Sequence, residues 1–511
     1  MFRSLVGSLR RKSSTRSTSS SRSTASSLFS NASNASSTAT NNTEKIILTG
    51  TPEYEDISFK DEKDILVMAS LQAPVFEQNK EDKKPPVDIC CVIDRSGSME
   101  GEKLELVKTA MLFVIDNLTS QDSLCVVVYD TDVATPLKFT SMDNSGKKLA
   151  KEKVQEIYSG SSTNLSGGLF EGIKNVSKRK SPNEISSILL FTDGLANHGV
   201  TIASEIIAQM EPSLAKISDG KGKSCTVFTF GFGYDHNEEM LRSIAEAGRG
   251  MYYYVAGADK LPLSFADCLG GLQSVVAQNL SLTIETASPH IQILKSLNPK
   301  YKITQGTLPT KESKTSPKFG IELELGDLYS EEKRDILLEI KIPKLSYEDE
   351  NYPTISFKLN YFNVISTQDE LVEITVVIKR SETVSADLKP SVGLDIQRNR
   401  LLVANAMEEG RRKANAGDLD SARVGMEDMI KLVQNSVSYN DPYCQNLVSE
   451  MGECISDMQS EEMYRSEGAK KISRKEQAHY MQRSNKIEES EISFYETSTK
   501  ASYKKSARFF S

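Results

Sequence analysis

The apolar residues of the chain follow one pattern up to about residue 275 and another beyond it. Between residues 85 and 275, uninterrupted apolar runs of strand length, such as PVDICCVID, alternate with segments whose apolar residues have helical spacing. A strand that is apolar throughout is typical of a parallel sheet covered on both faces, and the alternation favours right-handed crossovers. This part is predicted to be an α/β fold with a doubly wound, mostly parallel sheet.

Residues 276–382 carry shorter runs, such as FGIELELGDL and TISFKLNYFNV, separated by Gly, Pro and Ser turns. This pattern predicts an antiparallel β-sandwich. Two earlier strands, KIILTG and DILVMASLQAP, lie within residues 44–84 and need a partner sheet elsewhere. The sandwich would most simply include them, with the α/β domain inserted in it; the alternative is an α/β domain followed by the sandwich.

The two ends of the chain differ from this globular part. Residues 390–470 are predicted to form a small helical domain, in which Gly417 ends one helix, Asp418 caps the next and Pro442 opens a third. Residues 471–511 are charged and weakly patterned, which predicts a mobile tail. Residues 1–43 are rich in Ser and Arg and contain no acidic residue, which predicts a disordered basic tail.

Composition excludes several classes of function. The chain has 511 residues, a net charge of −8 and no basic face with interleaved aromatic residues, which argues against a nucleic-acid binder. No apolar run approaches the roughly 18 to 20 residues of a transmembrane helix. The seven cysteines are not spaced as a disulfide framework and only four histidines occur, so we expect reduced thiols and no Cys/His zinc site.

These features predict a cytoplasmic protein. The alternative is mitochondrial, because apolar residues near the start of the chain share one helical face opposite arginines, as in a transit peptide. They are Phe2, Leu5, Val6 and Leu9.

Five oxygen-bearing side chains lie where strands of the α/β part should end. Asp94, Ser96 and Ser98 belong to IDRSGSM, Thr163 to GSSTNLSGG and Asp193 to LLFTDG. Because the carboxyl ends of parallel strands meet at one edge of a sheet, three loops could bring these side chains together. Hydroxyl and carboxylate oxygens are ligands of hard divalent cations, so the sequence predicts a Mg²⁺ site, with Mn²⁺ as a possible substitute.

This set of ligands contains only two carboxylates. A cation held partly by neutral hydroxyls stays under-neutralised and can accept another carboxylate from outside. We therefore expect a protein partner that presents Asp or Glu.

The same residues disfavour an enzyme: phosphotransferases that use an aspartate at the first strand end typically carry a second acid two residues later, and position 96 is serine. No catalytic or organic-cofactor residue is predicted.

The motifs DRSGSM, STNLSGGL, LLFTDG and TFGFG together resemble a von Willebrand factor type A domain with an intact metal-ion-dependent adhesion site, over about residues 85–270. The resemblance implies that Ser96, Ser98 and Thr163 contact the ion, while Asp94 and Asp193 act partly through water. The sandwich and the helices that follow resemble the extension of such domains in intracellular proteins of protists, fungi and plants. Some of these proteins carry a ligase or self-splicing module, and we expect neither here.

Three further features leave alternatives open. Gly231 and Gly233 are similar to a phosphate-binding loop but lack its third glycine, so a strand-end turn is favoured. His198 and His236 could line the metal-binding face, and the preferred interpretation is that they are solvated turn residues. The acidic pair in VVVYDTDV, Asp130 and Asp132, could add metal ligands or belong to a solvated loop, and we favour the loop.

The sequence thus favours a metal-dependent protein–protein interaction module. The alternative is a substrate-recruiting adaptor in ubiquitin transfer without a ligase domain of its own. Neither the partner nor the oligomeric state follows from the sequence.

Overall fold

The computed structural model describes residues 44–75, 84–217, 224–233, 235–257, 260–301, 303–307, 319–485 and 494–508. The predicted basic tail, residues 1–43, lies outside this part of the chain. The described residues form one mostly parallel sheet flanked by helices, two antiparallel sheets and a C-terminal helical region. The predicted fold class is confirmed.

The strands and helices are numbered in chain order. The strands are β1 (Ile47–Pro52), β2 (Lys63–Gln72), β3 (Val87–Asp94), β4 (Ser123–Tyr129), β5 (Val133–Ser141), β6 (Ile185–Thr192), β7 (Ser224–Phe232), β8 (Arg249–Val255), β9 (Val275–Thr286), β10 (Gln292–Ser296), β11 (Ile303–Thr307), β12 (Phe319–Tyr329), β13 (Lys333–Ile342), β14 (Asp349–Asn363) and β15 (Gln368–Arg380). The helices are α1 (Glu102–Asn117), α2 (Asn144–Gln155), α3 (Leu165–Ser177), α4 (Ala203–Ile217), α5 (Glu238–Ala247), α6 (Leu261–Leu272), α7 (Val392–Asn415), α8 (Leu419–Gln434), α9 (Pro442–Ser456), α10 (Glu461–Met463), α11 (Ala469–Met481) and α12 (Ser498–Ala507).

The mostly parallel sheet has the strand order β5-β4-β3-β6-β7-β8, in which only β5 runs antiparallel to its neighbour. Helices α1, α2 and α6 pack on one face, and α3, α4 and α5 pack on the other. Every residue of β3 and of β6 is buried, which explains why these strands are apolar on both sides. The carboxyl ends of β3, β4 and β6 meet at one edge, which is where the predicted site lies.

The two antiparallel sheets form the β-sandwich. Their strand orders are β1-β2-β13-β10 and β11-β12-β9-β14-β15, and their inner faces share one apolar core. Strand β2 pairs with β13 over its whole length, with Val67 opposite Leu338. Because β1 and β2 precede the parallel sheet and β9 follows it, the α/β domain is inserted in the sandwich.

The helical region has the terminal residues that its sequence predicts. Gly417 has a positive φ of 88°, a backbone conformation that favours glycine, and it separates α7 from α8. The Asp418 carboxylate accepts a hydrogen bond from the Ser421 N–H at 3.1 Å and caps α8. Pro442 is the first residue of α9. Helices α7, α8, α9 and α11 share a core of their own.

The C-terminal end differs from the predicted mobile tail of residues 471–511. In its described part, α11 and α12 pack against the α/β domain and the sandwich through buried charges. Glu476 of α11 accepts hydrogen bonds from Arg242 of α5 at 2.8 Å and from Arg411 of α7 at 3.1 Å. Arg483 forms an ion pair with Glu332 at 2.5 Å, with both side chains almost fully buried. The prediction failed because charged residues were expected to face solvent.

Among the described residues, none of the helices has both the length and the apolar character needed to cross a bilayer.

Candidate functional site

Two neighbouring parallel strands bring the two predicted carboxylates to one edge of the sheet. Strand β3 ends at Asp94, and β6 ends at Thr192, directly before Asp193. Ile93 pairs with Phe191, so Asp94 lies level with Thr192. The Thr192 hydroxyl donates a hydrogen bond to Asp94 Oδ2 at 2.6 Å. The sheet register therefore fixes the distance between the two acidic positions.

A short 3-10 turn, Gly97–Met99, follows β3 and places two serine hydroxyls beside Asp193. Ser96 Oγ lies 3.1 Å from Ser98 Oγ, and Ser98 Oγ donates a hydrogen bond to Asp193 Oδ1 at 2.8 Å. With Mg²⁺–oxygen distances of about 2.1 Å, neighbouring ligands of an octahedron lie about 3 Å apart. The Ser96–Ser98 and Ser98–Asp193 oxygen distances therefore match the distance between neighbouring ligands of such an octahedron.

Thr163 precedes α3 and is tied to the loop that follows Asp193. Its N–H donates to Asn197 Oδ1 at 2.8 Å, and its carbonyl accepts a hydrogen bond from the Asn197 N–H at 3.1 Å. Gly194 lies close to the hydroxyls of both other segments: a Cβ at this position would be 3.4 Å from Ser98 Oγ and 3.7 Å from Thr163 Oγ1. The three loops therefore approach one another around Gly194.

Asp94 is fully buried, and both its carboxylate oxygens accept hydrogen bonds from the protein. Oδ1 accepts from the Ser96 N–H at 2.8 Å, and Oδ2 accepts from Thr192. Burial raises the pKa of Asp94 to about 6, although the hydrogen bonds from Thr192 and Ser96 act in the opposite direction. This geometry favours an indirect role, in which Asp94 orients Ser96 and supplies charge, as groups behind the direct ligands of metal sites do.

A positive charge already lies against this cluster. Lys103, in the first turn of α1, forms an ion pair with Oδ2 of Asp193. The Lys103 side chain is 40% exposed, whereas that of Asp193 is fully buried. The Lys103 ammonium is thus the cationic partner of Asp193 in this structure.

Sequence reasoning missed both Lys103 and Thr192. A hydroxyl residue at the buried end of β6, level with Asp94, is a signal that could have identified Thr192. Lys103 gave no such signal, because its partner Asp193 is 90 residues away in the chain.

The other acidic pair organises a neighbouring loop. Asp130 forms an ion pair with Arg95 at 3.1 Å and accepts a hydrogen bond from the Asp132 N–H at 2.8 Å. Asp132 itself is exposed. Asp130 is buried, contrary to the favoured interpretation as a solvated loop residue, and its contacts hold the loop in place.

The two histidines have different surroundings. His198 is exposed, and its backbone N–H donates to the carbonyl of Thr163 at 3.3 Å. His236 is buried, contrary to the preferred interpretation as a solvated residue, and its ring packs against Gly231, where a Cβ would lie 2.4 Å from the ring. Gly233 has a φ of 65° directly after β7, as expected of a strand-end turn. The close approach of the His236 ring therefore explains why position 231 is glycine.

Burial makes His236 a source of acid sensitivity. Its Nδ1 lies 3.3 Å from the Phe232 carbonyl, which can only accept, so Nδ1 donates and Nε2 accepts from the Tyr252 hydroxyl at 2.6 Å. This arrangement suits the neutral ring, and burial lowers the pKa of His236 from 6.5 to about 4.

The low pKa of His236 predicts a loss of stability in acid. The unfolded chain binds a proton below pH 6.5 and the folded chain only near pH 4, so stability is complete above pH 6.5 and falls between the two values. The expected loss is about 3 kcal/mol. The raised pKa of Asp94 contributes a pH dependence of opposite sign to both proteins, so urea unfolding measured from pH 7 to pH 4 should show the His236 contribution as the difference in slope between the wild type and His236→Gln. An equal slope in both proteins would contradict the assignment.

Comparisons with known proteins support this architecture. Residues 88–266 match the von Willebrand factor type A domain, and residues 392–489 match the N-terminal region of a CPSF6-like RSLD domain. An uncharacterized protein of Synechocystis sp. is 26% identical over 363 residues, covering 70% of this chain and 81% of that protein. The E3 ubiquitin-protein ligase WAV3 of Arabidopsis thaliana is 28% identical over 350 residues, covering 66% of this chain and 42% of the ligase. The chain thus spans less than half of that ligase.

Two solved structures share the fold over most of the chain. A von Willebrand factor type A protein from Catenulispora acidiphila has a TM-score of 0.59 at 16% identity, covering 82% of this chain and 91% of its own. The ArnB paralog VWA2 from Sulfolobus acidocaldarius has a TM-score of 0.55 at 13% identity, covering 85% of this chain and 98% of its own. Together with the sheet order and the sequence match, they establish that residues 88–266 are a von Willebrand factor type A domain, a type that typically mediates protein–protein interaction.

Proposed function

We propose that this chain binds a protein partner through a Mg²⁺ held at the edge of the parallel sheet, with an acidic residue of the partner completing the coordination. Ser96, Ser98 and Thr163 would contact the ion, with Mn²⁺ as a possible substitute. Asp193 would contact the ion directly or through water. Asp94 would act indirectly, by orienting Ser96 and supplying negative charge. The observation that carries the proposal is the run of three oxygens from Ser96 through Ser98 to Asp193, spaced at 3.1 and 2.8 Å.

The burial of the proposed ligands supports an approach of the partner's acidic residue from the solvent side. Asp94, Ser96, Thr163 and Asp193 are buried, whereas Ser98 is exposed. A cation bound here would rest on a rigid, buried base and keep one side open to solvent. Because three of the proposed ligands are neutral hydroxyls, the ion would stay electron-poor and favour a carboxylate over water on that side.

The test uses peptide pools, because the partner is not known. Beads would carry either a pool with a fixed Glu and random flanking residues or a matched pool with Gln in its place. The wild-type protein should bind the Glu pool in Mg²⁺, leave it in EDTA and ignore the Gln pool. Thr163→Ala removes a proposed direct ligand and should weaken this binding by at least the roughly 10- to 100-fold that loss of a supporting group costs. Thr163→Ser keeps the hydroxyl and should retain it.

Two results would count against the proposal. Equal binding to the Glu and Gln pools would exclude recognition of a carboxylate. Binding that persists in EDTA would exclude the bridging ion.

A second candidate function is substrate recruitment in ubiquitin transfer, with a separate ligase. The similarity to WAV3 favours it, since the aligned segment is longer than the type A domain and includes part of the sandwich or helices. All seven cysteines are buried free thiols, and burial raises the pKa of Cys91 and Cys225 among them, which argues against thioester chemistry in this chain. Reduced thiols also support a cytoplasmic location. Co-purification of a ubiquitin-conjugating enzyme would favour this candidate.

A further inference from the structure

Two large apolar side chains are exposed on the loops that surround the candidate cation site. Leu195 follows Asp193 by two residues and is 57% exposed. Tyr158 is 70% exposed and lies just before Gly160, whose N–H donates to the Arg95 carbonyl at 2.6 Å. Both side chains are therefore attached to segments in direct contact with the loops that carry the proposed ligands.

The segment that carries Tyr158 is held firmly against the first ligand loop. Besides the Gly160 hydrogen bond, the Gly97 N–H donates to the Ser161 carbonyl at 2.9 Å. Gly97 lies between the two serines of that loop. The position of this segment is thus fixed relative to Ser96 and Ser98.

The Tyr158 ring is also held in place, although it is exposed. The Arg95 guanidinium lies over the ring, with its central carbon 5.1 Å from the ring centroid. The same guanidinium forms an ion pair with Asp130, with Nη2 3.1 Å from Oδ2. A cation over an aromatic face is attractive and reduces the freedom of both groups. An aromatic side chain that is already ordered loses little entropy when a partner covers it.

Single exposed apolar residues are common on protein surfaces and carry no meaning by themselves. Here their placement is combined with charge. The proposed cation would supply the positive charge between them, since Lys103 and Arg95 are already paired with Asp193 and Asp130, so the surface would complement an anion with apolar neighbours. We propose that the site selects a peptide segment whose acidic residue is flanked by apolar residues, one packing on Leu195 and one on Tyr158.

This inference rests on the proposed function and narrows its partner from any acidic residue to an acidic residue within an apolar segment. Truncating an apolar anchor at the centre of an interface typically weakens binding by about tenfold. The preference should therefore be measurable with short peptides and separable from binding of the ion.

The experiment compares two immobilised synthetic peptides, Gly-Leu-Glu-Phe-Gly and Gly-Ser-Glu-Ser-Gly, by surface plasmon resonance with the full chain in Mg²⁺. The wild type should bind the first about tenfold more tightly. Leu195→Ala and Tyr158→Ala should each reduce this ratio and leave binding of the second peptide unchanged. Leu371→Ala and Tyr347→Ala, at positions 60% and 64% exposed on the sandwich, are the matched controls and should keep the ratio.

The possible results separate the two proposals. Equal affinity of the wild type for both peptides, with EDTA-sensitive binding, would overturn the apolar selection and leave the proposed function standing. A preference that survives both Leu195→Ala and Tyr158→Ala would also overturn it. If neither peptide binds in an EDTA-sensitive way, the proposed function fails and this inference fails with it.

Discussion

Replacing Asp267 with alanine is expected to destabilise the protein by about 3 to 5 kcal/mol, because it leaves the buried Lys500 without its counter-charge and leaves the buried Lys504 with only Glu496. Asp267 lies in α6 with its side chain fully buried. It forms ion pairs with Lys500 at 2.8 Å and Lys504 at 2.7 Å, both from α12, and accepts a hydrogen bond from the Tyr253 hydroxyl at 2.8 Å. The free energy of unfolding in urea would measure the effect.

The control is an exposed ion pair of the same chemistry. Asp428 and Lys431 lie 2.9 Å apart with side chains 66% and 68% exposed, so Asp428→Ala should change stability by no more than about 0.5 kcal/mol. A loss below about 1 kcal/mol for Asp267→Ala would show that α12 does not depend on this cluster.

The same carboxylate should add to acid sensitivity. Burial tends to raise the pKa of Asp267, but Lys500 and Lys504 outweigh it, so the pKa lies below its ordinary value of 3.8. A depressed carboxyl pKa means that this contribution is complete above pH 3.8 and is lost as the pH falls below that value towards the folded-state pKa. This range lies below the one assigned to His236, so the two effects can be separated.

Asp193→Ala is expected to weaken Mg²⁺ binding by more than about 100-fold, beyond the loss usual for groups that only support metal ligands. The substitution removes the carboxylate that accepts the Ser98 hydrogen bond at 2.8 Å, and it also removes the partner of Lys103. Isothermal titration of the metal-free protein with MgCl₂ would measure the change directly. This readout does not depend on any partner.

Two variants make the Mg²⁺ measurement specific. Asp132→Ala removes an exposed carboxylate from the neighbouring loop and should leave the affinity unchanged. Lys103→Gln removes the ammonium group that the ion would displace and should increase the affinity, a change that partial unfolding cannot produce. Unaltered Mg²⁺ affinity in Asp193→Ala would exclude Asp193 from the site.

Much of the fold could be predicted because its signals are local. The uninterrupted apolar runs of β3 and β6 indicated a sheet covered on both faces, and Asp418 and Pro442 marked helix starts by their own chemistry. The convergence of the three motifs could be predicted for a related reason: parallel strands that share a sheet end at the same edge.

The remainder depends on partners that are distant in the chain. Glu476 and Lys500 lie in segments that, taken alone, would be expected to face water. Their partners, Arg242 and Asp267, are 234 and 233 residues away, respectively. A buried charge is stable only when it is paired, and the sequence of one helix does not show which residue pairs with it. The ion pair of Lys103 with Asp193 could not be predicted for the same reason.

The insertion of the α/β domain between β2 and β9 has a consequence for how the protein is made. Strand β2 emerges early from the ribosome, but its partner β13 follows only after the whole inserted domain has been synthesised. Until then the apolar face of β2 has no permanent cover, and such unpaired strands are prone to aggregation. Contacts between distant positions also slow folding. We therefore expect the inserted domain to fold first during translation and the sandwich to close after it.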